Sequence, residues 1–137
     1  MKKLLILLFL IFSIASIITS VKAENVLYCE SELATGFIKK NGIWEEGSFV
    51  RKRFTVNFNN EYTKLKGLDE YRDFTCSKVY SNVVEHVYCI SGWLDGDSFQ
   101  YNPLNNRFKY LNPSAAGFIV LEGKDTDIMY AGTCKSF

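Results

Sequence analysis

Histidine is nearly absent from this chain, and the residue patterns that mark common catalytic centres are missing. His86 is the only histidine among 137 residues, and it lies beside Glu85 in a strand-like stretch. A nucleophilic enzyme needs an activated side chain next to a base, but no Gly-x-Ser-x-Gly segment and no unpaired cysteine accompanies this histidine. We therefore expect no catalytic residue, and we interpret His86 as a solvent-facing hairpin residue.

Metal-ligand spacings are also lacking. The four cysteines include no Cys-x-x-Cys pair and no paired Cys/His spacing, which argues against a zinc site. Asp95-Gly96-Asp97 is similar to part of a calcium-binding loop, but the later oxygen ligands and the closing glutamate are missing. We interpret this segment as a turn. The sequence predicts neither a metal nor a cofactor.

Residues 1–23 predict a secretory signal peptide. Two lysines precede an apolar run that ends at about Ile18, and Val21-Lys22-Ala23 places small residues where a signal peptidase cuts. The run is shorter than the ~20 residues that span a bilayer, so we expect cleavage rather than a retained anchor. The expected mature chain is a single β domain of residues 24–137, secreted or periplasmic, with no membrane span.

The expected mature chain carries little net charge. Three of the 16 basic residues belong to the signal peptide, so 13 basic residues remain against 15 acidic ones. This balance does not indicate a nucleic-acid partner, and we expect none. The charge is uneven, however, because the stretch from Lys39 to Lys66 contains seven basic and three acidic residues.

All four cysteines lie in the part expected to be exported, where an oxidising compartment favours disulfides. Three pairings are possible. Cys76 and Cys89 lie in strand-like runs on either side of Ser81-Asn82, which predicts a hairpin with a cross-strand bridge. A turn centred there would leave the two cysteines about two positions out of register, so the bridge needs a small shift or bulge. Cys29 is then expected to pair with Cys134.

Short strand-like runs recur about every ten residues, and no long helical period is present. Turn pairs such as Asn41-Gly42 and Asn59-Asn60 separate the runs. We therefore predict an all-β fold, a small antiparallel barrel or sandwich of about 8–10 short strands stapled by disulfides. The candidate strands are Val26–Cys29, Ala34–Lys39, Ser48–Phe58, Tyr62–Lys66, Phe74–Tyr80, Val83–Ser91, Ser98–Tyr101, Arg107–Leu111, Gly117–Leu121 and Ile128–Cys134.

Aromatic residues are abundant, with 11 Phe, 8 Tyr and 2 Trp in the whole chain. Each large ring buries ~150–250 Å², so most of them are expected in the core. Phe54, Val56 and Phe58 alternate with polar residues, which predicts that these three side chains share the inner face of one strand.

Several short segments together resemble a group of small secreted proteins of marine alphaproteobacteria and their phages, for which no activity is known. The segments are Cys29, Gly36-Phe37, the central cysteine pair, Phe99-x-Tyr101-Asn102, Arg107-Phe108 and the C-terminal Gly132-Thr133-Cys134-Lys135-Ser136-Phe137. The resemblance spans nearly the whole expected mature chain and implies no activity. The cysteine placement also resembles that of bacterial lysozyme-inhibitor barrels, although the loop that those inhibitors insert has only Ser91-Gly92-Trp93 as its nearest counterpart.

Basic residues on two neighbouring strands form a candidate binding surface. If Ser48–Phe58 pairs with Tyr62–Lys66, their basic side chains point outward at alternate positions. The candidate anion-binding patch consists of Lys40, Arg51, Arg53, Lys64 and Lys66. An anionic envelope component or an acidic protein surface would be its partner, because exposed opposite charges attract. The alternative is a solvated strand face that protects a sheet edge from aggregation.

These features favour an exported, small β-barrel-like binding or inhibitory module that is not an enzyme. Two alternatives remain open. One is a small secreted hydrolase-like enzyme whose site cannot be recognised in a single sequence. The other is a structural component of an envelope or a virion.

Overall fold

The computed structural model describes residues 25–68, 70–80, 85–92, 96–113 and 126–136. These residues form nine strands of one antiparallel sheet, so the all-β prediction is confirmed. The predicted signal peptide, the Ser81-Asn82 turn and the predicted strand Gly117–Leu121 lie outside the described residues. The strands are β1 (Asn25–Lys40), β2 (Ile43–Ser48), β3 (Arg53–Phe58), β4 (Lys64–Lys66), β5 (Phe74–Tyr80), β6 (Glu85–Ser91), β7 (Ser98–Asn102), β8 (Arg107–Pro113) and β9 (Asp127–Ser136).

Strand β1 folds back on β2 and β3 as one long hairpin. Asn41 and Gly42 form its turn with φ angles of 51° and 82°, a conformation that Asn-Gly adopts more readily than other residue pairs. Both β2 and β3 pair with β1 in a single register, from the turn down to the pair Asn25 and Phe58. The two strands predicted before the turn are therefore one continuous strand.

A short gap separates β2 from β3, and Ser31 bridges it from β1. The buried hydroxyl of Ser31 donates a hydrogen bond to the carbonyl oxygen of Lys52 at 3.1 Å. The same hydroxyl accepts one from the Lys52 amide at 2.7 Å. The Lys52 carbonyl oxygen also accepts a hydrogen bond from the Ser31 backbone amide at 2.9 Å. The hydroxyl of Ser31 thus supplies the partner that the Lys52 amide needs.

The sheet closes on itself because β1 also pairs with the last strand, β9. This pairing extends from Leu27 opposite Ser136 to Phe37 opposite Asp127, with an irregularity between Ser31 and Leu33. The strands β1, β3, β4, β5, β6, β7, β8 and β9 thereby form a closed antiparallel barrel. Closure leaves few unpaired edges, and among the described strands β2 pairs only with β1.

Glycines allow β1 and β9 to approach closely along this seam. A Cβ atom on Gly132 would overlap the backbone oxygen of Glu30, and one on Gly36 would overlap that of Asp127. Only a residue without a side chain fits such a contact between backbones. The glycine of the C-terminal Gly-Thr-Cys segment is thus required by barrel closure.

Aromatic rings fill the interior of the barrel. The predicted inner face of β3 is confirmed, since Val56 and Phe58 are buried and Phe54 packs against the core. The ring of Phe54 meets that of Phe108 edge-on, with centroids 5.2 Å apart. The ring of Phe108 also stacks on the buried Phe99, at a centroid distance of 5.6 Å. Pairs of this kind add to the free energy gained from burial.

Both predicted disulfides are present, and both lie inside the barrel. Cys29 is bonded to Cys134 across β1 and β9, and Cys76 is bonded to Cys89 across β5 and β6. Each cysteine lies directly opposite its partner, with Cα atoms 4.0 and 3.9 Å apart respectively. Such bonds form and persist in an oxidising environment of the extracellular type.

The register of β5 and β6 differs from the one expected from the sequence. A two-residue turn at Ser81-Asn82 would have left the cysteines two positions apart. The last pair of this ladder is instead Tyr80 and Glu85, so four residues connect the strands. The register is consequently shifted by two residues, and no bulge interrupts the pairing around Cys76 and Cys89.

Candidate functional site

The five residues of the predicted anion-binding patch fall in separate places. Lys64 and Lys66 are exposed on either side of the buried Leu65 in β4. Lys66 pairs with Asn57, which is four residues along β3 from Arg53. At ~3.3 Å per residue, this separation is about 13 Å. The structure therefore brings the two β4 lysines together but separates them from Arg53.

Two other members of the predicted patch already pair with carboxylates. Arg53 donates hydrogen bonds from Nε and Nη2 to Oε1 of Glu30, at 2.9 and 2.8 Å. This hydrogen-bonded carboxylate raises the pKa of the Arg53 guanidinium. Lys40 lies at the hairpin turn, where its Nζ is 3.6 Å from Oε2 of Glu45. Arg51 is exposed in the gap between β2 and β3. Anion binding by this set remains a prediction.

A buried polar cluster surrounds Asp97, just before β7. The fully buried carboxylate of Asp97 forms an ion pair with Arg72. Its Oδ2 also accepts hydrogen bonds from the Tyr110 hydroxyl at 3.2 Å and from Nδ2 of Asn112 at 3.0 Å. Burial and the nearby Asp97 charge raise the pKa of Tyr110, so its hydroxyl remains a donor further into the alkaline range than an exposed tyrosine would. This cluster fastens the segment before β5 to strands β7 and β8.

The Asp97 cluster could not be recognised in the sequence. Asp97 belongs to the segment interpreted as a turn, and Arg72 lies 25 residues earlier in the chain. Charged residues are rarely buried unless they are paired, so a buried Asp or Arg would be expected to have a partner. The sequence does not show that Asp97 and Arg72 are buried, however, because their burial follows from the fold. The contacts described for the cluster join three separate segments of the chain.

A cleft of about 670 Å³ lies at the root of the β1–β2 hairpin. The cleft lies where β1 is paired with both β2 and β9, because its lining residue Phe37 pairs with Glu46 on β2 and with Asp127 on β9. Apolar side chains form most of the wall, and Glu46 and Asp127 are the acidic residues among its lining. The apolar wall consists of Phe37, Leu111, Pro113, Ile128 and Met129.

Exposed apolar side chains lie on the same hairpin and on the stretch that follows it. The exposed fractions are 62% for Leu33, 47% for Phe37, 66% for Ile43 and 85% for Val50. Single exposed apolar residues are common on protein surfaces, but apolar surface that adjoins a cleft marks interaction sites. Phe37 lines the cleft, and Leu33 lies on the same face of β1 four residues away. Ile43 pairs with Lys40 and therefore lies on the other face of the hairpin, near the turn. We refer to these four residues and the adjoining cleft as the hairpin surface.

The comparisons with known proteins provide no relatives. The chain matches no protein-family model, no curated protein and no solved structure. In the part of the chain that the structure describes, no helix is long and apolar enough to cross a membrane. In the same ranges, no group of three or more His, Cys, Asp or Glu side chains could hold a metal ion.

Proposed function

We propose that the protein is an exported binding or inhibitory module that engages another protein through the hairpin surface. The observation that carries this proposal is the pair of exposed apolar side chains Leu33 and Phe37 beside a cleft of about 670 Å³, with Ile43 exposed near the turn of the same hairpin. Covering apolar surface contributes roughly 25 cal/mol for each Å² removed from water. A partner that covers this group would gain free energy that the isolated chain does not gain.

The barrel supports this role because it holds the hairpin in a defined position. Strand β1 runs without interruption from the barrel into the hairpin, and the Cys29–Cys134 disulfide joins its first half to β9. Binding costs less when the contacting segment is already ordered. A hairpin that extends a disulfide-bonded strand meets this condition.

Export is supported by two independent observations. Residues 1–23 have the charged, apolar and small-residue regions of a signal peptide. The described cysteines are all paired in disulfides, which form in oxidising compartments. The partner is therefore expected on a cell surface, in a periplasm or in the medium.

The cleft also suggests the chemistry of the partner surface. The exposed residue Glu46 brings a negative charge to a wall that is otherwise largely apolar, and Asp127 is the other acidic residue of the lining. A partner with apolar side chains surrounded by lysine or arginine would complement both properties. The cleft is a different site from the predicted anion-binding patch, because none of the residues of that patch lines the cleft.

Site-specific photo-crosslinking tests this proposal. A photoreactive amino acid is placed at Ile43, on the hairpin, or at Ser77, an exposed outward position of β5. We expect one reproducible protein adduct from position 43 in the producing cells and none from position 77. Excess unlabelled protein should suppress the adduct, whereas a Phe37→Asp/Ile43→Asp variant should not.

A Ser77→Asp variant is the matched competitor, because it adds a charge to an exposed strand residue away from the hairpin. It should suppress the adduct as well as the unaltered protein does. Equal adducts from positions 43 and 77, or equal competition by all variants, would rule out the hairpin surface as the binding site.

A further inference from the structure

A second recess, of about 340 Å³, lies on the outer face of β6, β7 and β8. Its volume falls within the ~300–1,000 Å³ typical of small-molecule sites. The recess shares no lining residue with the hairpin cleft. Its lining consists of the aromatic residues Tyr101 and Phe108 and of the polar residues His86, Gln100, Asn102, Asn105, Arg107 and Lys109.

Cross-strand register brings these side chains together. Asn102 pairs with Arg107 in one row, and Gln100 pairs with Lys109 in the next row. His86 extends the first row onto β6, as the β6–β7 register shows. Successive side chains of a strand point to opposite faces, and the buried neighbours of these residues fill the core. The five strand residues of this set therefore lie on the outer face, and Asn105 adds an exposed side chain from the β7–β8 turn.

The recess has positive charge and no carboxylate in its lining. Arg107 and Lys109 are two residues apart on one strand, which places their Cα atoms about 7 Å from each other. Within the described ranges, neither residue forms an ion pair, whereas Arg53 is held by Glu30 and Arg72 by Asp97. One anionic group can thus approach both cations without displacing a carboxylate of the chain.

Two amide side chains are held in place by the β7–β8 turn. Oδ1 of Asn102 accepts a hydrogen bond from the Leu104 amide at 2.8 Å, and Oδ1 of Asn105 accepts one from the Arg107 amide at 3.0 Å. Their NH₂ groups remain as donors, because each carboxamide has both an acceptor and two donor hydrogens. Gln100 adds a further donor and acceptor in the neighbouring row.

We propose that this recess binds an acidic saccharide. The ligand carboxylate would contact Arg107 and Lys109, since a guanidinium can donate two parallel hydrogen bonds to one carboxylate. The sugar hydroxyls would contact Gln100, Asn102 and Asn105, because hydroxyls both donate and accept hydrogen bonds. A simple inorganic anion would satisfy only the cations. This site is independent of the partner contact proposed for the hairpin surface.

Titration calorimetry with the oxidised protein tests the proposal. The probes are uronic-acid and sialylated oligosaccharides, a methyl-esterified uronate oligomer and inorganic phosphate. We expect at least one acidic oligosaccharide to bind about tenfold more tightly than the methyl ester or phosphate, because loss of the carboxylate contact costs roughly that factor. An Arg107→Gln/Lys109→Gln variant should also weaken binding about tenfold.

The charge-matched control is Lys64→Gln/Lys66→Gln, which removes two exposed positive charges from β4. We expect its affinity to remain within about twofold of the unaltered protein, because the charges are remote and screened by salt. Gln100→Ala should weaken saccharide binding severalfold while leaving the positive charge intact. Circular dichroism and the two intact disulfides confirm that each variant is folded.

Four outcomes would overturn the inference. Equal affinity for phosphate would make the recess a general anion site, and equal affinity for the methyl ester would exclude the proposed role of the cations. If the Arg107→Gln/Lys109→Gln and Lys64→Gln/Lys66→Gln variants lost affinity equally, binding would depend on the overall positive charge or on the sequence-predicted patch and not on the recess. Absence of binding by every acidic oligosaccharide would reject the site. None of these outcomes alters the expected crosslink at Ile43, so the two proposals can fail separately.

Discussion

Cys29 on β1 lies directly opposite Cys134 on β9, and the disulfide between them joins the first strand to the last inside the barrel. The covalent bond and the strand pairing thus close the same seam. The two residues are 105 positions apart in the sequence. Constraining so long a loop removes much of the freedom of the unfolded chain.

We expect the Cys29→Ser/Cys134→Ser variant to lose more stability than the Cys76→Ser/Cys89→Ser variant. On a loop-entropy account, the long closure contributes roughly 4–5 kcal/mol and the short one about 3 kcal/mol. Urea unfolding of both variants measures the difference. A greater loss from the pair that is only 13 residues apart would contradict this account of the seam.

The close approach of β1 and β9 predicts that Gly132→Ala is destabilising. The added Cβ would overlap the Glu30 backbone, so the seam must open, at a cost of about 2 kcal/mol or more. Gly92→Ala is the control, because its nearest contact is 3.8 Å away, and it should change stability by less than about 0.5 kcal/mol. Thermal unfolding of the two variants compares them, and similar melting temperatures would disprove the steric explanation.

The inner face of β3 can be tested by truncating one aromatic ring. Phe58→Ala should cost about 3–5 kcal/mol, because Phe58 is fully buried and stacks on Tyr101 at 5.7 Å. Thr55→Ala, on the exposed face of the same strand, should cost less than about 0.5 kcal/mol. Denaturant titration separates the two, and equal small losses would show that the side chain of Phe58 is not part of the core.

The buried ion pair predicts a specific effect of Asp97→Asn. This change leaves the largely buried Arg72 without its carboxylate, which is expected to cost about 3–5 kcal/mol. Asp73→Asn, at an exposed position, should have an effect below about 0.5 kcal/mol. Chemical unfolding provides the measurement. A stability equal to that of the control variant would mean that the pair contributes little.

Stability is expected to fall at alkaline pH. Burial raises the pKa of Tyr110, with a further contribution from Asp97, and burial also raises that of Tyr101. A raised pKa in the folded state stabilises the protein below the ordinary tyrosine value of 10.0. That contribution is lost as the pH rises from there through the pKa of the folded state, because the unfolded chain releases the protons more readily.

The variant Tyr110→Phe should therefore show a shallower loss of stability above about pH 10 than the unaltered protein. Unfolding midpoints measured at a series of alkaline pH values would reveal this difference. Tyr28→Phe is the control, since Tyr28 is on the outer face of β1. Identical alkaline profiles for unaltered protein and Tyr110→Phe would show that this buried hydroxyl does not govern the transition.

Local sequence patterns were sufficient to predict several features of the fold. Asn41-Gly42 predicted a tight turn because both positions adopt positive φ, which backbone sterics permit best for these residues. Alternation predicted the inner face of Phe54, Val56 and Phe58, since side chains of a strand repeat every two residues. The disulfide pairs also followed, because the predicted hairpin paired Cys76 with Cys89 and left Cys29 for Cys134.

Other features of the strands depended on the tertiary structure. The sequence predicted two strands before Asn41-Gly42, whereas Ser31 and its hydrogen bonds to Lys52 help keep β1 continuous. Strand β2 was not predicted, because its residues are partly or fully exposed and show little alternation. The register of β5 and β6 was set by the longer connection and not by the expected two-residue turn.

By itself, the sequence determined the all-β class, the Asn41-Gly42 turn, the inner face of β3 and the disulfide pairs. These follow from periodicity, from backbone sterics and from the hairpin that the two strand-like runs around Cys76 and Cys89 predict. The tertiary structure alone decided which side chains meet across the sheet. Arg72 reaches Asp97 over 25 residues, and the recess collects residues from β6, β7 and β8. Periodicity tells which residues share a face of one strand. Neighbours on different strands are set by register and closure, and both depend on the packing of the whole barrel.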